Sequence, residues 1–135
     1  MPRPPQDVTD AELAILNLLW DRGQATVREL AEQLYAEYTP SNHATVQKLL
    51  ERLKAKACVR RDRSNWPHRF EAAIERGDLI DRRLRQTADK LCDGAIQPLL
   101  THLVKGARLS PEDRRSLRTL LDELDKEGKK PGKKL

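Results

Sequence analysis

The apolar positions of this chain fall into short stripes at helical spacing, separated by turns of a few residues. Leu13, Leu16, Leu19 and Trp20 share one face; Thr9 or Asp10 stands ahead to cap it, Glu12 lies in the first turn and Gly23 closes it. The spacing predicts a first helix from about Asp10 to Arg22. Thr26 and Glu29 then form a Thr-x-x-Glu capping box ahead of Val27, Leu30, Ala31 and Leu34, which predicts a second helix from about Val27 to Tyr38. Pro40 enforces a break. In the third stripe, Thr39 to Leu53, the residues Val46, Leu49, Leu50 and Leu53 gather on one side, and Ala44, Gln47, Lys48 and Glu51 on the other. Three short helices joined in this way make a helix-turn-helix core.

The period changes after Leu53. Cys58 to Asp62 and His68 to Ala73 flank the turn-forming quartet Ser64-Asn65-Trp66-Pro67, and Val59 and Phe70 are apolar enough to anchor a hairpin. That hairpin is a candidate wing. Trp66 at its tip is either a packing residue or a contact, and is read as packing. From Gly77 the pattern is helical again: Leu79, Ile80, Arg83 and Leu84 lead into Leu91, Ile96, Leu99, Leu100, Leu103 and Val104, with Pro98 expected to kink or divide the stretch. Ser110-Pro111-Glu112-Asp113 starts a last helix, whose stripe is Leu117, Leu120, Leu121 and Leu124. These segments are too short and one-sided to build a core of their own. A homodimer through Leu91, Ile96, Leu99, Leu100, Leu103, Leu117, Leu120, Leu121 and Leu124 is therefore expected. Packing back onto the first domain is the alternative.

The expected fold is mainly α with a small β-wing, an N-terminal winged helix-turn-helix followed by a C-terminal helical dimerisation domain. Residues 1–7 are read as a disordered arm, 8–75 as the DNA-binding domain, 76–125 as the dimerisation domain and 126–135 as a disordered basic tail.

Charge sharpens this picture. The chain of 135 residues has a formal net charge of +5, and where that charge lies matters more than its total. Residues 47–69 hold eight Lys/Arg against Glu51 and Asp62, a net +6, and residues 126–135 carry +4. Residues 1–46 sum to −4 and residues 70–125 to −1. A positive charge focused on one helix and the following hairpin is what a phosphate-contacting surface requires. On that surface Asn42, His43, Thr45, Gln47 and Lys48 are placed to meet base edges in a major groove, Gln47 best because its amide can pair with adenine. Arg52, Arg60, Arg61 and Arg63 are assigned to phosphates, as are Thr26 and Arg28 at the start of the second helix.

Other chemistry has little support. The sequence contains no HExxH, no glycine-rich phosphate loop and no GxSxG, and His43, His68 and His102 lack metal-ligand spacing. No enzyme activity, cofactor or metal is expected. Cys58 and Cys92 lie outside any CxxC and are read as small apolar residues; a metal sensor would need the two thiols close in space. No apolar run approaches the roughly 20 residues that span a bilayer, and MPRPPQD has no apolar h-region, so a cytoplasmic protein without membrane contact is expected. A winged helix serving as a protein-interaction module of antirepressor type, or as a non-specific DNA binder, is the alternative use of the same fold.

Motifs in order and spacing resemble the penicillinase-repressor (BlaI/MecI/CopY) family of winged-helix transcriptional regulators. They are Thr9-Asp10-Ala11-Glu12-Leu13 leading to Leu19-Trp20; Thr45-Val46 with Leu49-Leu50-Glu51-Arg52-Leu53 and Lys56; and Asp93-Gly94 followed by Leu109-Ser110-Pro111-Glu112, Leu117 and Leu120-Leu121-Asp122-Glu123-Leu124. The resemblance covers nearly all of residues 8–125. It implies a homodimer that sits on a palindromic operator and blocks transcription, with a sensor or protease as a further partner that relieves repression. Two departures bear on release. The cleavable Asn-Phe pair of related repressors would fall near Thr101-His102, which is neither residue, and the cysteine-rich copper motif is absent. Ala57 stands where the family usually closes the third helix with glycine, so a left-handed cap there costs about 1 kcal/mol and a different ending is open.

Overall fold

The computed structural model describes residues 7–106 and 108–128. Of the arm expected over residues 1–7, only Asp7 is described, and residues 129–135 of the expected tail also lie outside. The chain forms two compact units, one up to Arg83 and one from Leu84 onward.

Helix α1 spans Asp10–Arg22. Its start is fixed twice: the Glu12 amide donates to Thr9 Oγ1 at 3.2 Å, and the Thr9 amide donates to Glu12 Oε1 at 2.9 Å. At its end Gly23, with φ 89°, donates its amide to the Leu19 carbonyl. The buried stripe is Ile15, Leu16 and Leu19, with Leu13 and Trp20 half-buried at its margins.

Strand β1 (Ala25–Thr26) was not foreseen; it pairs antiparallel with β3 (Arg69–Ala72), which pairs in turn with β2 (Val59–Asp62), giving the sheet order β1-β3-β2. Helix α2 spans Val27–Leu34, capped by Thr26 and Glu29 as its sequence predicts. It ends four residues before the expected Tyr38. Tyr35 is already extended, and two side-chain bonds hold residues 35–39 as a connector: Asn42 Nδ2 donates to the Glu37 carbonyl at 2.7 Å, and Tyr38 Oη lies 2.7 Å from His43 Nδ1. Pro40 is a start as well as a break. Thr39 caps helix α3 (Pro40–Ala55) and Pro40 takes its first position, where a missing amide costs nothing.

The core of the first unit is built from Ile15, Leu16, Leu19, Leu30, Val46, Leu49, Leu50, Leu53, Cys58, Val59 and Phe70, with Leu79 joining from helix α4 (Arg76–Leu91). Trp20 Nε1 donates to the Ile74 carbonyl at 2.9 Å, fastening the chain leaving β3 to α1.

Helix α3 closes with a left-handed residue after all. Ala57 has φ 62°, its amide reaches the Lys54 carbonyl at 3.0 Å, and the Cys58 amide reaches the Leu53 carbonyl at 2.8 Å, the pair of bonds of a Schellman cap. This ending delivers Cys58 to the core, fully buried, at the cost of left-handed strain at Ala57. Since left-handed strain costs an alanine about 1–2 kcal/mol and glycine's extra chain entropy returns part of it, Ala57→Gly should stabilise the fold by about 0.5–1 kcal/mol. Urea denaturation checks this; an unchanged or lower unfolding free energy would contradict it.

The second unit continues from Leu84 with α5 (Gln97–Gly106) and α6 (Pro111–Gly128). The helical stretch expected to be divided at Pro98 is divided earlier. Asp93 and Gly94, with φ 51° and 82°, end the preceding helix, and Pro98 sits in the first turn of α5, where it is tolerated. Ser110 and Asp113 cap α6 reciprocally, at 3.0 and 3.1 Å. Residues 126–128, expected in the disordered tail, belong to this helix. Neither α5 nor α6 buries a residue in the single chain. No helix among the described residues is long and apolar enough to cross a membrane.

Candidate nucleic-acid interface

Helix α3 turns Val46, Leu49, Leu50 and Leu53 into the core, and this leaves Ala44, Thr45, Gln47, Lys48, Glu51 and Arg52 exposed on its outer side. Between that side, the start of α2 and the wing lies a groove of about 430 Å³. It brings together Thr26, Arg28, His43, Gln47 and Arg61 of the sequence-predicted site; Asn42, Thr45, Lys48, Arg52, Arg60 and Arg63 do not line it. Tyr38, Glu51, Trp66, His68 and Phe70 line it too, and the sequence reading had assigned none of them a site role.

Several of the expected contact residues have structural work. The Thr26 hydroxyl accepts the Glu29 amide at 3.1 Å and is buried at the cap of α2. Asn42 and His43 hold the connector before α3, and Thr45 Oγ1 donates to the Ser41 carbonyl at 3.0 Å. Arg28 lies over the Tyr38 ring, 4.6 Å from its centroid, and pairs with Glu32 at 3.4 Å. Arg61 lies over the Phe70 ring at 5.3 Å, with a buried Nε that has no hydrogen-bond partner among the described residues. Arg60 pairs with Glu71 across the wing at 3.5 Å.

The +6 segment is therefore not all available. Lys56, counted there from sequence, is only 12% exposed and reaches inward to Glu12 Oε1 at 2.6 Å and the Asp7 carbonyl at 2.8 Å. Arg69 turns to Glu29 at 3.5 Å. Among the described residues Lys48, Arg52, Lys54 and Arg63 have no ion-pair partner, and all four are exposed. Trp66, read from sequence as a packing residue, is 83% exposed and takes no part in the core. Asp62 accepts the Ser64 amide and hydroxyl at 2.9 and 2.6 Å, and this turn leaves Trp66 in the exposed stretch 63–67 between the strands, not on a strand face.

Two carboxylates tie this scaffold to pH. Burial opposes the charge of Glu12, but the Lys56 ammonium and the Thr9 amide and hydroxyl outweigh it and hold its pKa below the usual carboxylate value. The Thr26 amide, helped by Arg22 and Arg69, does the same for Glu29 against a smaller burial effect. The folded chain thus holds its protons less tightly than the unfolded chain. The stability these groups contribute is complete above the unfolded carboxylate value of about 4.3 and is lost as pH falls through their lower folded values. The urea midpoint should be level near neutrality and drop on acidification below about pH 5; a midpoint that stays level or rises there would contradict this. Cys58 has the opposite shift, because burial pushes its thiol up. Cys58 and Cys92 are both free thiols.

Comparison with known proteins places this arrangement. Residues 8–123 match the family described as penicillinase repressor. The transcriptional regulator BlaI of Mycobacterium tuberculosis is 30% identical over 118 residues, covering 86% of this chain and 83% of BlaI. The methicillin resistance regulatory protein MecI of Staphylococcus aureus is 22% identical over 118 residues, covering 86% of this chain and 94% of MecI. A solved structure of Bordetella bronchiseptica BpsR, described as concerning regulation of its DNA binding by 6-hydroxynicotinic acid, aligns with a TM-score of 0.42 at 20% identity. That alignment covers 91% of this chain and 78% of the other, and is too distant to carry more. With its family profile matched across nearly the whole winged-helix unit and the helices that follow, the chain belongs to the penicillinase repressor family.

Proposed function

We propose that this chain is a sequence-specific DNA-binding transcriptional repressor that acts as a homodimer on a palindromic operator. The observation that carries this reading is the outer face of α3, where Gln47, Lys48 and Arg52 stand exposed while the same helix is locked into the core behind them; Arg63 of the wing is exposed too and has no ion-pair partner among the described residues. A helix fixed on its inner side and polar and basic on its outer side suits insertion into a major groove. Gln47 reads a base edge, Lys48 and Arg52 hold the flanking phosphates, and Arg61 and Arg63 bring the wing onto the backbone. Asn42, His43, Thr45 and Thr26 act mainly through the backbone they hold, setting the angle of α3. Residues 8–75 carry the DNA-binding work and residues 76–125 the self-association.

Dimerisation is supported by Leu91, Ile96, Leu100, Leu103, Leu120, Leu121 and Leu124, all exposed in the single chain, with Leu99 and Leu117 half-buried beside them. Exposed apolar residues recurring along helices in this way favour association. Occupying an operator as a dimer excludes the transcription machinery, which is repression by obstruction.

Replacing the two classes of residue should give different signatures. Arg52→Ala is expected to weaken binding evenly across sequences and reduce the salt slope of log K by about one, whereas Gln47→Ala relaxes selectivity at a single base position and leaves the slope intact. Fluorescence anisotropy at several salt concentrations measures both. Equal loss of affinity on every sequence with Gln47→Ala would contradict its role as a reader.

A further inference from the structure

The wing tip carries a side chain that the fold does not use. Trp66 is the most exposed of the large apolar residues among those described, at 83%, and its ring meets His68 in an edge-on approach, with centroids 4.8 Å apart. The other tryptophan behaves differently: Trp20 packs against the core, donates to the Ile74 carbonyl and takes Arg76 over its ring. Leaving an indole in water forgoes one of the larger burial gains available to any side chain. A turn closed by Asp62 on the Ser64 amide and hydroxyl precedes Trp66 in the loop.

The surroundings identify what the indole meets. Trp66 and His68 line the same groove as Gln47 and Glu51 of α3, so a body seated on α3 is within reach of the indole. Arg63, three residues away, is exposed and lacks an ion-pair partner among the described residues. A duplex whose major groove receives a helix presents a sugar-phosphate ridge beside it, and then the neighbouring minor groove. An aromatic ring on the same loop as an exposed arginine suits the apolar deoxyribose wall of that groove, as the arginine suits its phosphates.

We propose that Trp66 is a DNA-contacting residue, laying its indole against the deoxyribose wall of the minor groove next to the major groove that α3 enters. The proposal rests on the repressor reading above. Its contact is apolar, so it adds affinity that salt does not screen, in contrast to the arginines around it.

The test is anisotropy binding of wild type, Trp66→Ala, Trp66→Phe and Arg63→Ala to the duplex most enriched by the wild-type protein from a random-sequence pool, or to a mixed-sequence duplex if none is enriched. Trp66→Ala should bind about tenfold more weakly at every salt concentration, with an unchanged salt slope and an unchanged melting temperature. Trp66→Phe should recover most of the loss, and Arg63→Ala should lower the slope by about one. Wild-type affinity in Trp66→Ala would overturn the proposal and leave the repressor reading standing, as would a loss accompanied by a slope reduced by one, which would mean that Trp66 only positions a neighbouring cation. Failure of the wild-type protein to bind any duplex would overturn both.

Discussion

Replacing Lys56 with methionine should lower the stability of the fold by about 3–5 kcal/mol, far more than a basic residue in a basic segment would suggest. Its ammonium lies 2.6 Å from a Glu12 carboxylate that is fully buried, and it also binds the Asp7 carbonyl, so one cation joins the start of α1 to the turn after α3. Without it, a buried carboxylate loses its counter-charge while its Oε2 already lacks a hydrogen-bond partner among the described residues. The pair therefore resembles a buried bridge broken from one side rather than an exposed one, which contributes less than about 1 kcal/mol. Two further results follow from the same physics. The deficit should shrink on acidification, since wild type loses stability as Glu12 is protonated whereas the variant is relieved by it. Pairing Lys56→Met with Glu12→Gln should recover most of the loss, because the amide keeps the Thr9 cap and removes the stranded charge. Urea denaturation of the three variants at neutral and acidic pH measures all of this. A loss below about 1 kcal/mol, or no recovery in the double variant, would contradict it.

The second large effect lies in the other unit. For the proposed homodimer, glutamate at both Leu100 and Leu121 should leave a monomer and weaken duplex binding by about a hundredfold or more, because each half-site is then held alone instead of through a linked pair. The two leucines are 51% and 60% exposed in the single chain, so charge there costs the monomer little and the interface a great deal. Sedimentation equilibrium reads the mass, circular dichroism reports whether the helices persist, and anisotropy gives the affinity. A variant that keeps its helices and remains dimeric would show that these faces meet something else.

The parts of the fold that were legible in the sequence are those set by neighbours a few residues apart. Thr26 with Glu29 is a capping box readable from spacing alone, and Thr9 or Asp10 and Ser110 mark the starts of two further helices, where Thr9 with Glu12 and Ser110 with Asp113 prove reciprocal in the structure. The parts that were missed depend on distant partners. Ala25–Thr26 is a strand because β3 lies beside it, and two residues carry no period of their own. Tyr38 resembles a helical residue until its hydroxyl finds His43. Lys56 and Lys54 look alike in a charge count, and only a glutamate 44 positions away makes one internal and leaves the other exposed. The site follows the same division. The outer face of α3 was visible as a stripe, whereas the groove was not, because Tyr38 reaches it from the connector before α3 and Trp66 and His68 from the wing loop, segments far apart in sequence.

The most direct test of the central claim is selection of duplexes by the purified full-length chain from a random-sequence pool, at a low and a moderate salt concentration. A homodimeric repressor should enrich an inverted repeat whose half-sites are centred one helical turn apart, roughly 34–36 Å, and should retain it at the higher salt. Recovery of no common sequence, with binding that vanishes at moderate salt, would contradict the claim and leave only a basic surface without sequence preference.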